Sequence, residues 1–336
     1  MTHAPLDLLT LGNAIVDVLA PTDDRFLVDQ ALAKGAMQLI DEGRAEQLYG
    51  LMSSTTIVSG GSAANTAAGA AALGARVGFV GKVKRDPLGE LYAHDLRAAG
   101  VAFDTAPATD GPATARSFIL VTPDGERTMN TYLGACQNLG PDDIDADLVR
   151  SARVVYLEGY LWDPPAAKDA FRKAVAIAHG AGNKVALSLS DPFCVDRYRA
   201  EFRELLRDGS LDLLFANTHE LRSLYETADE ETALGALRAE RVTGVVTRSA
   251  EGAVVVTAEG VEAVPASPVE RVVDTTGAGD LFAAGFLAGM AHGFAPRDCA
   301  RLGTVAAAEI IGHIGARPQA DLAGLARQAG LAVPMR

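Results

Sequence analysis

The pattern that most limits what this chain can become is an alternation. Short, mostly apolar runs stop abruptly, and a longer stretch with helical spacing follows each one. Leu6–Leu11 comes first and ends at Gly12, as a buried strand does. Val77–Val80, Val154–Leu157, Val185–Leu189, Leu211–Phe215 and Val242–Thr247 share its character. Between them Ser62–Leu73, Asp86–Ala99, Pro165–His179, Asp196–Arg207 and Thr218–Tyr225 read as helices. Such alternation predicts an α/β fold, with a central, mostly parallel sheet flanked by helices. Gly252–Thr257 and Val261–Val264 read as a hairpin, and Gly277–His292 and Pro296–His313 as two closing helices.

Two regions break the rhythm. Val16–Ala20 and Ala36–Ile40 are short strands close behind the first. Thr114–Thr122 and Arg127–Leu133 flank Pro123-Asp124-Gly125-Glu126, and Asp-Gly in so short a connection signals a hairpin. These four strands are expected to form a small β-sheet lid, residues 13–40 and 114–133. The α/β body is then built from 1–12, 41–113 and 134–336. A small sheet over a larger body suits transfer chemistry that must exclude water.

Composition narrows the partners. Lys plus Arg is 30 and Asp plus Glu is 43, so 30 − 43 gives −13. Nucleic acid and anionic membranes call for a basic footprint, which such a balance does not supply. The three cysteines, Cys136, Cys194 and Cys299, lie far apart and outline neither a disulfide framework nor a zinc cluster. The most apolar stretch, Leu281–Ala291, is too short to span a bilayer. Met1-Thr2-His3-Ala4-Pro5 lacks the order of a signal peptide, so a cytoplasmic protein is expected. The choice between monomer and homodimer stays open.

The segment richest in chemistry is Asp274-Thr275-Thr276-Gly277-Ala278-Gly279-Asp280, which opens a helical run. Small residues at 277–279 let backbone N–H groups approach a ligand. A helix beginning there adds unpaired N–H groups and the positive end of its dipole, so the spot suits phosphate. A carboxylate at such a spot repels the ligand unless it has a task. The economical task for Asp280 is to take a proton from a hydroxyl attacking phosphorus. The plainer alternative is a helix cap, worth roughly 0.5–2 kcal/mol. A dinucleotide fingerprint fails because Phe282 stands where its third glycine belongs. Gly81-Lys82 lacks the upstream glycine of a Walker A loop.

Asp274–Leu287 resembles the C-terminal signature of the ribokinase/PfkB family of sugar and nucleoside kinases. Gly60-Gly61-Ser62-Ala63-Ala64-Asn65 resembles its N-terminal signature. The two stand in the expected order, and the likeness runs from Gly12 to Pro318. It implies a ribokinase-like fold and transfer of the ATP γ-phosphate to a hydroxymethyl group. Asp280 takes the position of the catalytic base, and Gly277, Ala278 and Gly279 that of the anion hole.

Asn13 and Asp17 follow the first strand, at the strand ends where open α/β sheets bind ligands. A carboxylate can accept two hydroxyl hydrogen bonds, which suits a vicinal diol. The resemblance implies that Asp17 holds sugar hydroxyls and that Gly61, Ser62 and Asn65 line the same pocket. Many sugar kinases of the family carry a polar pattern near Ser190-Asp191-Pro192-Phe193, where this chain has the aromatic Phe193. With Leu133, Ile15 and Leu39 it would make an apolar rim suited to a purine face, since sugar hydroxyls each need a polar partner. The substrate expected is therefore adenosine, phosphorylated on its 5′-hydroxyl. A fructose or ribose kinase is the alternative, and a nucleotide sensor without turnover a second one. Asp280 and the Asn217/Glu220 pair argue against the sensor.

On the ATP side, Asn217 and Glu220 lie three apart on one helical face. They resemble the family motif that orders Mg²⁺ through its waters, although Asn217 alone reads equally as a helix cap. Val245–Gly252 resembles the family's nucleotide-binding turn, which implies that Thr247 and Gly252, with Thr275, lie beside ATP. Arg127 would reach the transferring phosphate or pair with Glu126, and Arg116 is a weaker candidate of the same kind. Some relatives bind a monovalent cation such as K⁺ below the anion hole. Asp274 and Thr276 are placed for one, though no ligand set can be read.

Overall fold

The computed structural model describes residues 3–334. Fourteen strands and twelve α-helices alternate among the described residues. The strands are β1 (Leu6–Leu11), β2 (Ile15–Pro21), β3 (Met37–Leu39), β4 (Thr56–Gly60), β5 (Val77–Val80), β6 (Val101–Ala102) and β7 (Ala115–Val121). They continue with β8 (Arg127–Tyr132), β9 (Ala152–Glu158), β10 (Lys184–Ser188), β11 (Leu213–Asn217), β12 (Thr243–Thr247), β13 (Ala253–Val256) and β14 (Val261–Val264). The helices are α1 (Asp24–Asp29), α2 (Glu42–Leu51), α3 (Ser62–Ala72), α4 (Pro87–Ala98), α5 (Ala146–Ser151) and α6 (Pro165–Gly180). After them come α7 (Pro192–Arg207), α8 (Thr218–Tyr225), α9 (Glu230–Ala239), α10 (Ala278–Ala291), α11 (Pro296–Ile310) and α12 (Leu322–Gln328).

Nine strands form the main sheet in the order β14-β13-β12-β11-β10-β9-β1-β5-β6. Every pair from β12 to β6 is parallel, and β13 and β14 close one edge antiparallel. Both faces are covered, so the strands are apolar on both sides. Leu8, Val154, Tyr156 and Phe215 point into one core with α3, α10 and α11. Leu9, Leu11, Val155 and Leu157 point into the other, around Trp162, Phe171 and Phe202. Burial on both faces explains why these strands read as continuous apolar runs. The run 281–291 is a core helix, with Leu281–Gly289 buried throughout. No helix among the described residues is long and apolar enough to cross a membrane.

The chain runs outward from β1 through β5 to β6, then returns to β9 and runs outward the other way. The order therefore reverses between β1 and β9, and such a switch point leaves a crevice at the strands' carboxyl ends. Over that crevice stands the small sheet, ordered β3-β8-β7-β2-β4. Its β7–β8 hairpin turns at Thr122–Glu126, with Gly125 at a φ of 87°.

Several elements differ from the sequence reading. β4 pairs with β2 as a fifth strand of the small sheet, although 41–113 reads as body. Its segment, Thr56-Ile57-Val58-Ser59-Gly60, looks like the run-up to a helix, and only its pairing with β2 places it. α7 starts at Pro192, capped by Asp191, four residues before the expected Asp196, so Phe193 sits in the helix's first turn. α2, α9 and α12 are helices that the sequence reading leaves unassigned.

Candidate active site

A cavity of about 600 Å³ lies between the carboxyl ends of the main sheet and the small sheet. Nearly all the expected site residues converge on it. Asn13, Asp17, Gly61, Ser62, Asn65, Leu133 and Phe193 come from the acceptor side. Asn217, Glu220, Thr247, Thr275, Gly277, Ala278, Gly279 and Asp280 come from the phosphate side. Gly252 and Arg127 are outside its lining. A second hollow of about 640 Å³ opens between the small sheet and Ile314–Gln319. It holds one charged residue, Arg317, and none of the residues just named, so its size says nothing about chemistry.

Asp280 lies in the first turn of α10. No side chain caps this helix, and its N-cap Gly277 takes a left-handed φ of 78°. A Cβ at Gly277 would also come within 2.8 Å of the Ala316 Cβ. The N–H groups of Gly277, Gly279 and Asp280 have no acceptor among the described residues, and the space beside Gly279 is open. Unpaired donors at a helix start facing a cavity form an anion site. The Asp280 carboxylate accepts from the Ser62 hydroxyl at 2.6 Å and from Asn65 Nδ2 at 3.0 Å. Burial raises its pKa, while those donors and the field of Arg317 hold the rise back. Asp280 is thus held by α3 and keeps lone pairs free for a proton.

Acceptor-side residues stand across the cavity. Gly61, the N-cap of α3, has a φ of 91°, and a Cβ there would meet the Asn13 carbonyl oxygen at 2.2 Å. The Asp17 carboxylate has no protein hydrogen bond among the described residues, and burial raises its pKa to about 7. Such a carboxylate, lining a cavity, has its lone pairs open to hydroxyl donors. Ile15, Leu39 and Leu133 form an apolar rim with Met37, Ile119 and Met129. Phe193 is 77% exposed at the mouth.

On the phosphate side, the cap and ligand readings of Asn217 meet in one arrangement. Asn217 Oδ1 accepts from the Glu220 N–H at 2.9 Å, and Glu220 Oε2 accepts from the Asn217 N–H at 2.9 Å. Asn217 Nδ2 also donates to Glu220 Oε1 at 2.6 Å. This reciprocal capping box uses both carboxylate oxygens. Any Mg²⁺ they serve would be reached through water, as the family resemblance implies. Burial raises the Glu220 pKa to about 7. Thr247 ends β12 in the cavity wall, whereas Gly252 lies in the following turn and accepts from the Arg248 N–H.

Arg127 does neither thing expected of it. Its guanidinium pairs with Asp274 at 2.6 Å and donates to Thr276 Oγ1 at 3.4 Å. Both side chains of the pair are under 10% exposed. A charge withdrawn from water has to find its opposite, and Asp274 offers it where Glu126 on the surface does not. Arg116 pairs with Glu46 of α2 and lies over Phe118 and Tyr132, away from the cavity.

Sequence reasoning missed three residues. Glu158, at the end of β9, is 1% exposed and lines the cavity. Tyr160 stands at the rim, its hydroxyl donating to the Ser190 carbonyl at 3.2 Å. Arg317 donates to the Ser59 and Ala64 carbonyls and to Ser59 Oγ from below the site. Glu158 carried one signal, a lone acid closing an apolar strand. Tyr160 and Arg317 carried none, since only the tertiary fold brings them here.

The chain matches the pfkB family carbohydrate kinase description over residues 31–322. It is similar to the crystal structure of adenosine kinase from Sinorhizobium meliloti, 55% identical, covering 97% of this chain and 100% of that one with a TM-score of 0.91. It is similar as well to a probable sugar kinase protein from Rhizobium etli CFN 42, 51% identical, covering 98% and 99% with a TM-score of 0.91. Among curated proteins it is 34% identical over 231 residues to an ATP-dependent ribose-1-phosphate kinase of Halopiger xanaduensis, covering 68% of this chain and 72% of that protein. The fold, a large mostly parallel sheet with a second small one, agrees with the match, and the chain belongs to the pfkB family of kinases. It is a phosphotransferase of a family that uses ATP.

Proposed function

We propose that this kinase transfers the ATP γ-phosphate to the 5′-hydroxyl of adenosine, giving AMP and ADP. The observation that carries the reading is the mixed lining of the cavity. It holds the unpartnered Asp17 carboxylate with Asn13 and also the apolar residues Ile15, Leu39, Leu133 and Phe193. A ribose diol suits the first group and a purine the second. The likeness to the Sinorhizobium meliloti enzyme supports adenosine, and the likenesses to sugar kinases keep fructose and ribose as the competing acceptors.

The chemistry follows from the anion site. The Asp280 carboxylate takes the proton as the 5′-oxygen attacks the γ-phosphorus. The new O–P bond forms as the bond to the bridging oxygen breaks, and ADP leaves with that electron pair. The free N–H groups at Gly277, Gly279 and Asp280 face the charge that gathers on the transferred group. Asn217 and Glu220 would hold Mg²⁺ through water, and the ion would supply positive charge against the phosphates. A family member that bound nucleotide without turnover would need no base at this position, so Asp280 argues for an enzyme.

The test is ATP consumption with adenosine, inosine, guanosine, ribose and fructose offered separately. Adenosine should give the highest kcat/KM. Good turnover of fructose or ribose with none of adenosine would overturn the nucleoside reading and leave the kinase.

A further inference from the structure

At the switch point between β1 and β9 a buried acid ties the two strands together. Glu158 Oε1 accepts from Asn13 Nδ2 at 2.9 Å and from the Asn13 N–H at 3.4 Å. Glu158 Oε2 accepts from the Ala63 N–H at 2.8 Å, one of the orphan donors at the start of α3. The fit is tight: a Cβ at Gly12 would lie 2.2 Å from Glu158 Oε2. With its NH₂ committed to Glu158, the Asn13 amide leaves Oδ1 beside the cavity with no donor among the described residues.

We propose that Glu158 is a positioning residue: it fixes the amide of Asn13 so that Oδ1, and not the NH₂, meets a hydroxyl of the acceptor substrate. The proposal rests on the reading that the acceptor binds in this cavity. An ionised carboxylate can only accept hydrogen bonds, so it permits one orientation of a neighbouring amide. A protonated Glu158 can donate, and the amide is then free to turn and offer its NH₂ instead. Burial raises the Glu158 pKa to about 7, against which the Asn13 and Ala63 donors pull it down and Asp280 pushes it up. The phenols of Tyr92, Tyr156 and Tyr160 and the thiols of Cys136 and Cys194 share its field, and all stay neutral at this pH because burial raises them too. Asp17, whose pKa is also about 7, faces the same cavity.

The variant Glu158→Gln keeps the shape but sets an NH₂ where both neighbours are donors. The backbone Ala63 N–H cannot reverse, so the new oxygen keeps that bond and the new NH₂ faces Asn13, whose amide relieves the clash by turning its Oδ1 toward it. Measured with whichever acceptor leads the substrate screen, the acceptor KM at pH 8 should rise about tenfold, the order of one hydrogen bond. The KM for ATP and kcat should stay within about threefold. The dependence of the acceptor KM on pH between 6 and 8 should also become shallower, since two titrating groups are reduced to one. An acceptor KM like that of the unaltered protein, or a loss confined to kcat, would overturn the proposal. A second readout needs neither the variant nor turnover. The side-chain NH₂ signals of Asn13, identified by their loss in Asn13→Ser, should shift on titration with a midpoint near pH 7. Signals that stay put between pH 5.5 and 8.5 would overturn the proposal as well. If no acceptor in the screen were phosphorylated, the substrate reading would fall, and this titration would still decide the role of Glu158.

Discussion

At Asp280 two neighbours hold the carboxylate without neutralising it. Ser62 and Asn65 each donate one hydrogen bond, which stabilises the ionised form, while burial works against it. The replacement Asp280→Asn separates a base from a cap. Asparagine is nearly as good near a helix start, and the Ser62 hydroxyl can reverse its bond toward the new NH₂. Thermal stability should therefore hold, while kcat falls by about 10²–10⁴, the usual worth of acid–base help. A folded Asp280→Asn protein with near-normal turnover would sink the mechanism. Asp280 itself was legible in the sequence because its neighbours are so small. The acceptor of the Arg127 ion pair was not, because Asp274 lies far along the chain and only the fold brings the two together.

At the scale of elements, the small sheet and the anion-hole loop are joined by that ion pair. Arg127 opens β8, and Asp274 precedes the turn into α10. The Asp274 oxygens also accept from the Thr276 N–H and the Gly315 N–H, both at 3.0 Å. A lid that moves with ligand would therefore carry a load-sharing contact to the phosphate site. Hydrogen exchange with and without adenosine should show β2, β4, β7 and β8 becoming protected together, and independent responses would break the lid idea. The same contact bears on cations. A monovalent ion at Asp274 would sit against a guanidinium 2.6 Å from the carboxylate, and like charges at such range repel. Turnover in potassium chloride and in Tris chloride of equal ionic strength should agree. Clear activation by potassium would mean that Arg127 leaves Asp274 in the working enzyme. The strands of the main sheet were legible because burial on both faces makes them uniformly apolar. β4 was not, because three of its five residues are exposed or half-exposed and its pairing with β2 is set by the fold alone.

At the scale of the whole molecule, the cavity gathers carboxyl groups that burial makes reluctant to ionise. Asp17 rises from an ordinary 3.8 to about 7, and Glu158 and Glu220 from 4.5 to about 7. Each binds its proton more tightly in the folded chain than in the unfolded one. The stability they contribute is thus fully present below about pH 4 and is lost as the pH climbs through 7. Surface acids such as Asp124, lowered to about 2 by Lys34, work in the opposite sense, but only in more acid solution. Between pH 5 and 8 the buried group should prevail, and the ligand-free protein should melt at progressively lower temperature as the pH rises. The proposed mechanism needs carboxylates of the same cavity ionised, Asp17 to accept hydroxyls and Asp280 to accept a proton. Activity should therefore climb across the window in which stability falls. Melting curves and kcat/KM taken at the same four pH values would show the two trends crossing. Self-repulsion of a chain with a net charge of −13 would tilt the melting trend the same way, so a control is needed. The variant Asp17→Asn removes one buried titration and barely alters the total charge, and its melting temperature should depend less on pH. A slope equal to that of the unaltered protein would place the effect in overall charge and not in the cavity.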